Sequence, residues 1–196
     1  MRDSHLEGAA ARLPDGRVLI AGGMDENFAA LTSAEVFDPA TDSFSPTGDM
    51  IAARKFETAT PLQDGRVLVV GGQDQKSDFR PYAELYDPIS GTFSPIGDSQ
   101  SAWRDLHVAA LLPDGRVLIA GGDNGLEQAM SEAETYDPAT GRFSKTGQLH
   151  RRRSNALAVI LQDGRVLIAG GEKDDRSVWS DAELFNSATG QFTLLD

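Results

Sequence analysis

The tetrapeptide Asp-Gly-Arg-Val occurs four times, beginning at Asp15, Asp64, Asp114 and Asp163, in steps of 49, 50 and 49 residues. A period of that length in a chain of 196 residues means four copies of one supersecondary unit, each too small to bury its apolar surface without a neighbour. Other features keep the same register. A glycine pair follows each Asp at Gly22 and Gly23, Gly71 and Gly72, Gly121 and Gly122, and Gly170 and Gly171. Ala-Glu comes next, placing Glu35, Glu84, Glu134 and Glu183 at equivalent positions, followed by an aromatic at Phe37, Tyr86, Tyr136 and Phe185. Asp-Pro follows in three copies, and a second aromatic closes each unit at Phe44, Phe93, Phe143 and Phe192.

Turn chemistry divides each unit into strands. In the second, Thr58–Leu62 is a short apolar stretch, Gln63–Arg66 is a hairpin turn of the Asp-Gly type and Val67–Val70 is its partner strand. The loop Gln73–Pro81 leads to a third strand, Tyr82–Tyr86, and the turn Asp87–Gly91 joins it to a fourth around Thr92–Ser94. Val-Leu-Ile runs without polar alternation predict strands buried on both faces, as in small sheets stacked between similar neighbours. No unit carries a sustained helical period, so the expected class is all-β: four units of four antiparallel strands.

Composition narrows the function classes. Thirty acidic against eighteen basic side chains give a formal charge of −12, the wrong sign for a nucleic-acid binder. No apolar run approaches the roughly 20 residues that span a bilayer, and Met1–Gly8 contains no hydrophobic signal core. Zero cysteines exclude disulfides, thiolate nucleophiles and Cys-ligated metals, but leave the compartment open, cytoplasmic or exported within a longer chain.

Taken together, the hydrophobic strand, the Gly pair, Glu-x-(Tyr/Phe)-Asp-Pro, the closing aromatic and an Arg before the next unit resemble the kelch repeat, in the bacterial-type form related to the galactose oxidase central domain. The resemblance covers essentially the whole chain. It implies a β-propeller in which each repeat is a four-stranded blade, with blades near residues 5–48, 54–97, 104–147 and 153–196 of one segment, 1–196. Departures from the pattern are Asn186-Ser187 in place of Asp-Pro, Asp42 in place of Gly, and His5 where the other units have Arg54, Arg104 and Arg153.

A wedge suited to the six or seven blades usual in the family covers roughly 50–60°, so four sweep about 200–240°. The expectation is therefore a partial, open arc taken from or completed by something larger. Association of two chains through their flanks and a small closed four-bladed propeller are the alternatives. In an open arc two apolar flanks would face water, a patch above the few hundred Å2 that a monomer tolerates.

Strand parity puts the Asp-Gly and Asp-Pro turns at one end of each blade and the long loops with the inter-blade connections at the other. The variable loops Met24–Thr32, Gln73–Pro81, Asp123–Ser131 and Glu172–Ser180 mark the second end as the functional candidate. Basic and aromatic residues gather there: Arg54, Arg80, Trp103, Arg104, His150, Arg151, Arg152, Arg153 and Trp179 form the candidate ligand-binding set, suited to a carboxylate, sulfate or acidic peptide loop. The competing reading makes Arg54, Arg104 and Arg153 inter-blade struts paired with Glu35, Glu84, Glu134 or Glu183, and makes Trp103 and Trp179 plugs of the blade stack. The glycine pairs are structural on either view. Asp25, Asp74, Asp123 and Asp174 cap loop backbone rather than cage an ion that wants 6–8 oxygen ligands.

No catalytic set is expected. His5, His107 and His150 lie in different units without metal-ligand spacing, and His107, on an innermost strand, suits a packed core role. The Cys-modified Tyr of the galactose-oxidase relatives needs a cysteine, and no phosphate-loop or sialidase-type motif is present. The expected function is a non-enzymatic interaction module, without metal or cofactor, that presents its variable loops to a protein, peptide or carbohydrate. The alternatives are the propeller part of a larger enzyme whose reactive residues lie elsewhere, and a spacer in a secreted repeat protein.

Overall fold

A computed structural model describes residues 1–74, 83–96, 104–126 and 128–195. These residues form sixteen strands in four sheets of four, each a simple antiparallel meander, with no helix among them. The chain divides into two compact units, Met1–Gly97 and Asp98–Asp196, of two sheets each.

The first unit contains β1 (Ala9–Arg12), β2 (Val18–Ala21), β3 (Ala34–Asp38) and β4 (Ser43–Pro46), then β5 (Thr58–Pro61), β6 (Val67–Val70), β7 (Ala83–Asp87) and β8 (Thr92–Ile96). The second contains β9 (Val108–Leu111), β10 (Val117–Ala120), β11 (Ala133–Asp137) and β12 (Arg142–Lys145), then β13 (Leu157–Ile160), β14 (Val166–Ala169), β15 (Ala182–Asn186) and β16 (Gln191–Leu195). Strand positions agree with the sequence expectation to within a residue or two. Burial agrees in part: every residue of β6 and β10 is buried, whereas β2 and β14 alternate.

The Asp-Gly hairpin differs in detail from the two-residue turn that the dipeptide suggests. Leu62 N donates to Arg66 O and Gly65 N to Leu62 O, and only Gly65, at φ 90°, has a positive φ. This is a type I turn with the glycine in the left-handed position, the three-residue hairpin loop. Asp64 fixes it by accepting Arg66 N at 3.1 Å and Arg66 Nη2 at 2.6 Å, and those bonds hold its carboxyl below the usual range. At the outer turn, Gly91 and Gly190 each adopt φ 68°, and Asp42, which replaces glycine in the first unit, adopts φ 51°. Asn186 keeps the turn despite losing Asp-Pro, because its Oδ1 accepts Ala188 N at 3.0 Å just as Asp87 accepts Ile89 N at 2.8 Å.

The two aromatics of each repeat meet across the outer strand pair. Phe37 and Phe44, Tyr86 and Phe93, Tyr136 and Phe143, and Phe185 and Phe192 stack tilted, with centroids 4.8–5.0 Å apart. In the first unit Leu19, Ala21 and Val36 pack on Val67, Val69 and Tyr86 of the second sheet. In the second unit Leu118, Ala120 and Ala133 pack on Val166, Ile168 and Phe185.

Candidate functional site

The end of the blades carrying the long loops begins at the glycine pairs. Gly71 and Gly72 have φ of 71° and 84°, and a Cβ on Gly72 would stand 2.8 Å from the carbonyl oxygen of Lys55. The pair lets the strand turn out of the sheet while the incoming connection crosses it at contact distance.

Beneath that crossing lies a buried carboxylate in every repeat. Glu84 accepts Ile51 N at 2.8 Å, Ala52 N at 3.3 Å and Arg54 Nη2 at 2.7 Å, while Arg54 Nη1 donates to Gly71 O at 2.9 Å. Glu183 likewise accepts His150 N at 2.8 Å and Arg151 N at 3.1 Å and pairs with Arg153 at 3.1 Å. Arg153 also donates to Gly170 O at 2.6 Å and Asp181 Oδ1 at 2.9 Å. In the first repeat His5 takes the arginine's place. Its Nδ1 lies 2.7 Å from Gly22 O, which only accepts, so Nδ1 carries the proton, and its Nε2 faces Glu35 at 3.3 Å.

These pairs close within a repeat, yet the arginine joins two sheets. Arg54 N donates to Leu31 O and Arg54 O accepts Gly23 N, both of the first sheet, while its guanidinium is held by the second. Arg153 does the same in its unit through Met130 O and Gly122 N. Arg104 donates to Gly121 O and Glu132 O, and burial pulls its guanidinium below the ordinary range against the opposing pull of Glu134 and Glu132. Arg54, Arg104 and Arg153 are 0%, 0% and 1% exposed, so the fold encloses all three. His107 is also enclosed, and burial, with Arg104 beside it, pushes its imidazole down to about 3. Asp25 accepts Asn27 N and Ala29 N, Asp123 accepts Gly125 N, and Asp174 accepts Ala129 N of the preceding repeat, all acting on loop backbone.

Of the remaining candidates, the fold brings Arg151, Arg152 and Trp179 together on the second unit, while the His150 side chain turns to Phe192. Trp179 Nε1 donates to Arg152 O at 2.9 Å, which orients the indole. Arg151 Cζ lies 4.4 Å and Lys173 Nζ 4.3 Å from the ring centroid, close enough for cation–π attraction. Asp181 holds Arg151 from the other side at 2.7 Å, sharing itself with Arg153. Arg152 is exposed. His150 Nε2 meets Phe192 O at 3.1 Å beside a cleft of about 520 Å3 that also reaches Gln148 and Gln191. Lys173 and Asp181 escaped the sequence reading; the signal was their loop, Glu172–Ser180 and the residue after it. Arg80 and Trp103 lie outside the described residues.

The model of the Kelch motif family matches residues 106–149, from the start of β9 through the connection after β12. The other three sheets repeat that unit strand for strand. The third repeat therefore carries a kelch motif. No curated protein matches it. Each repeat is one four-stranded sheet, and the glycine pair, the glutamate and an arginine, or His5 in the first repeat, form its internal brace. No helix among the described residues is long and apolar enough to cross a membrane.

Proposed function

We propose that this chain is a non-enzymatic interaction module and that an acidic protein segment or anionic glycan binds at the Trp179 face of its second unit. Kelch repeats are commonly interaction modules, which supports the general class. The observation that carries the site is the Trp179 ring with Arg151 at 4.4 Å and Lys173 at 4.3 Å. Two cations held against one indole, with Arg152 beside them, concentrate basic side chains at one place on a chain of net charge −12. Such a cluster recognises carboxylate or sulfate through charge-assisted hydrogen bonds, while the indole holds the two cations in place. The histidines support a non-catalytic reading: His5 is tied to Gly22 O and Glu35, His107 is buried, and His150 is bonded to Glu183 and Phe192 O.

The test is binding of acidic peptides and sulfated glycans to the wild type and to an Arg151→Ala/Arg152→Ala/Lys173→Ala variant, at low and high salt. Binding that weakens at least tenfold in the variant and falls with salt supports the site. Binding that is indifferent to the three substitutions overturns it.

A further inference from the structure

Each unit is built on the same asymmetric interface. One sheet offers a small aliphatic face, with Leu118 and Ala120 of β10 as its centre, and the next sheet answers with Val166, Ile168 and Phe185. The first unit repeats this one for one, setting Leu19 and Ala21 against Val67, Val69 and Tyr86. The innermost strands run side by side, β1 by β5 and β9 by β13.

Each two-sheet unit leaves its two outer faces without a partner sheet of its own, and the faces open to water are one on the fourth sheet and one on the first. On the fourth sheet, Leu157, Val159, Leu167 and Leu184 occupy the register positions of Val108, Ala110, Leu118 and Thr135, yet within their unit no sheet packs on them. Leu157 is 78% and Val159 54% exposed. Three of these side chains are larger or more apolar than their counterparts on the covered face, the reverse of what a water-facing surface needs. On the first sheet, Val18, Ile20, Phe37 and Phe44 present the answering surface and are only partly buried, whereas their equivalents Val166, Ile168, Phe185 and Phe192 are 0–6% exposed.

We propose that the Leu157–Val159–Leu184 face of the fourth sheet receives the Val18–Ile20–Phe37 face of a second copy of this chain, so that copies join head to tail. The occupant follows from the molecule itself. The chain carries both halves of one further instance of an interface it already forms twice, with side chains of matching type in matching register. Such a contact is heterologous and adds copies in one direction until a ring closes. It is independent of the Trp179 site.

Sedimentation velocity of the 196-residue chain over a range of concentrations tests this. The expected result is a species of at least twice the 21.0 kDa chain mass, reduced to one chain by Leu157→Lys/Val159→Lys with the β-sheet circular dichroism unchanged. A cysteine-free chain also permits a direct test of register. Ala110 and Ala158 both pack into the interface of the second unit, and their equivalents on the two unpaired faces are Val159 and Ala10. Oxidising a mixture of Ala10→Cys and Val159→Cys chains should link one of each, more than either variant links with itself. A 21.0 kDa species at every concentration overturns the proposal, as does association that survives the lysine substitutions. So does a disulfide that Ala10→Cys/Val159→Cys closes within one chain, which would mean the two faces meet in the same molecule.

Discussion

The guanidinium of Arg54 and the carboxylate of Glu84 meet at 2.7 Å with side-chain exposures of 0% and 1%, forming an ion pair sealed inside the fold. Glu84 is also the acceptor for the backbone of the connection that delivers Arg54, and Arg54 is bonded through its own backbone to the preceding sheet. The pair therefore sets where the second blade sits on the first.

Removing either partner leaves an uncompensated buried charge, which costs about 3–5 kcal/mol. Arg54→Ala and Glu84→Ala should each destabilise by that order in urea unfolding, and the double variant Arg54→Met/Glu84→Leu by much less. Equal losses in all three would mean that packing, rather than charge pairing, carries the effect.

Glu57 is buried against Gly22 and Gly23 between the two sheets of the first unit, and burial pushes its carboxyl from 4.5 up to about 8 despite the nearby Arg54 guanidinium. A carboxyl whose folded value is raised holds its proton in the folded chain, so its contribution is intact below 4.5 and is lost as the pH rises through 8. Stability should fall between those limits, and Glu57→Gln should remove that slope. Melting temperatures from pH 4 to 9 on both proteins, at roughly unit steps, check this.

His107 works in the opposite direction. Its folded value of about 3 lies below the ordinary 6.5, so the neutral ring is favoured on folding. The stability it supplies is complete above 6.5 and is lost as the pH falls through 3. His107→Gln should flatten the acid side of the same melting profile. A profile unchanged on that side would place the ring in contact with solvent.

Asp42 sits at φ 51° where its equivalents Gly91 and Gly190 sit at 68°. A left-handed residue other than glycine costs roughly 1–2 kcal/mol, partly recovered for Asp by local hydrogen bonding. Asp42→Gly should therefore raise stability by about 1 kcal/mol, whereas Gly91→Asp should lower it by a similar amount. Chemical denaturation of the two variants gives both signs.

Much of this architecture was legible because a repeat shows its own chemistry four times. The position of Val67–Val70, the glycine turn at Gly65 and the outer turn at Gly91 follow from local propensity, which acts within a few residues. The struts were legible as a pattern, Arg54, Arg104 and Arg153 against Glu84, Glu134 and Glu183, but their geometry was not. Which Glu each Arg meets depends on how the connection crosses the glycine pair. Lys173 was missed because nothing local marks a loop lysine as the partner of an indole, whereas the repeat register does set Arg153 apart from Arg151 and Arg152, which have no counterparts in the other units.

The sequence by itself determined the period and the strand order within each blade, since hydrogen-bond pairing in a meander involves neighbours along the chain, and it left open whether Arg54, Arg104 and Arg153 bind a ligand or brace the fold. Tertiary structure alone decided that Trp179 stacks with Arg151 and Lys173 and that Asp181 is shared between Arg151 and Arg153. Those choices arise from contacts between segments up to about thirty residues apart, where burial and charge pairing in space, rather than local propensity, select the arrangement.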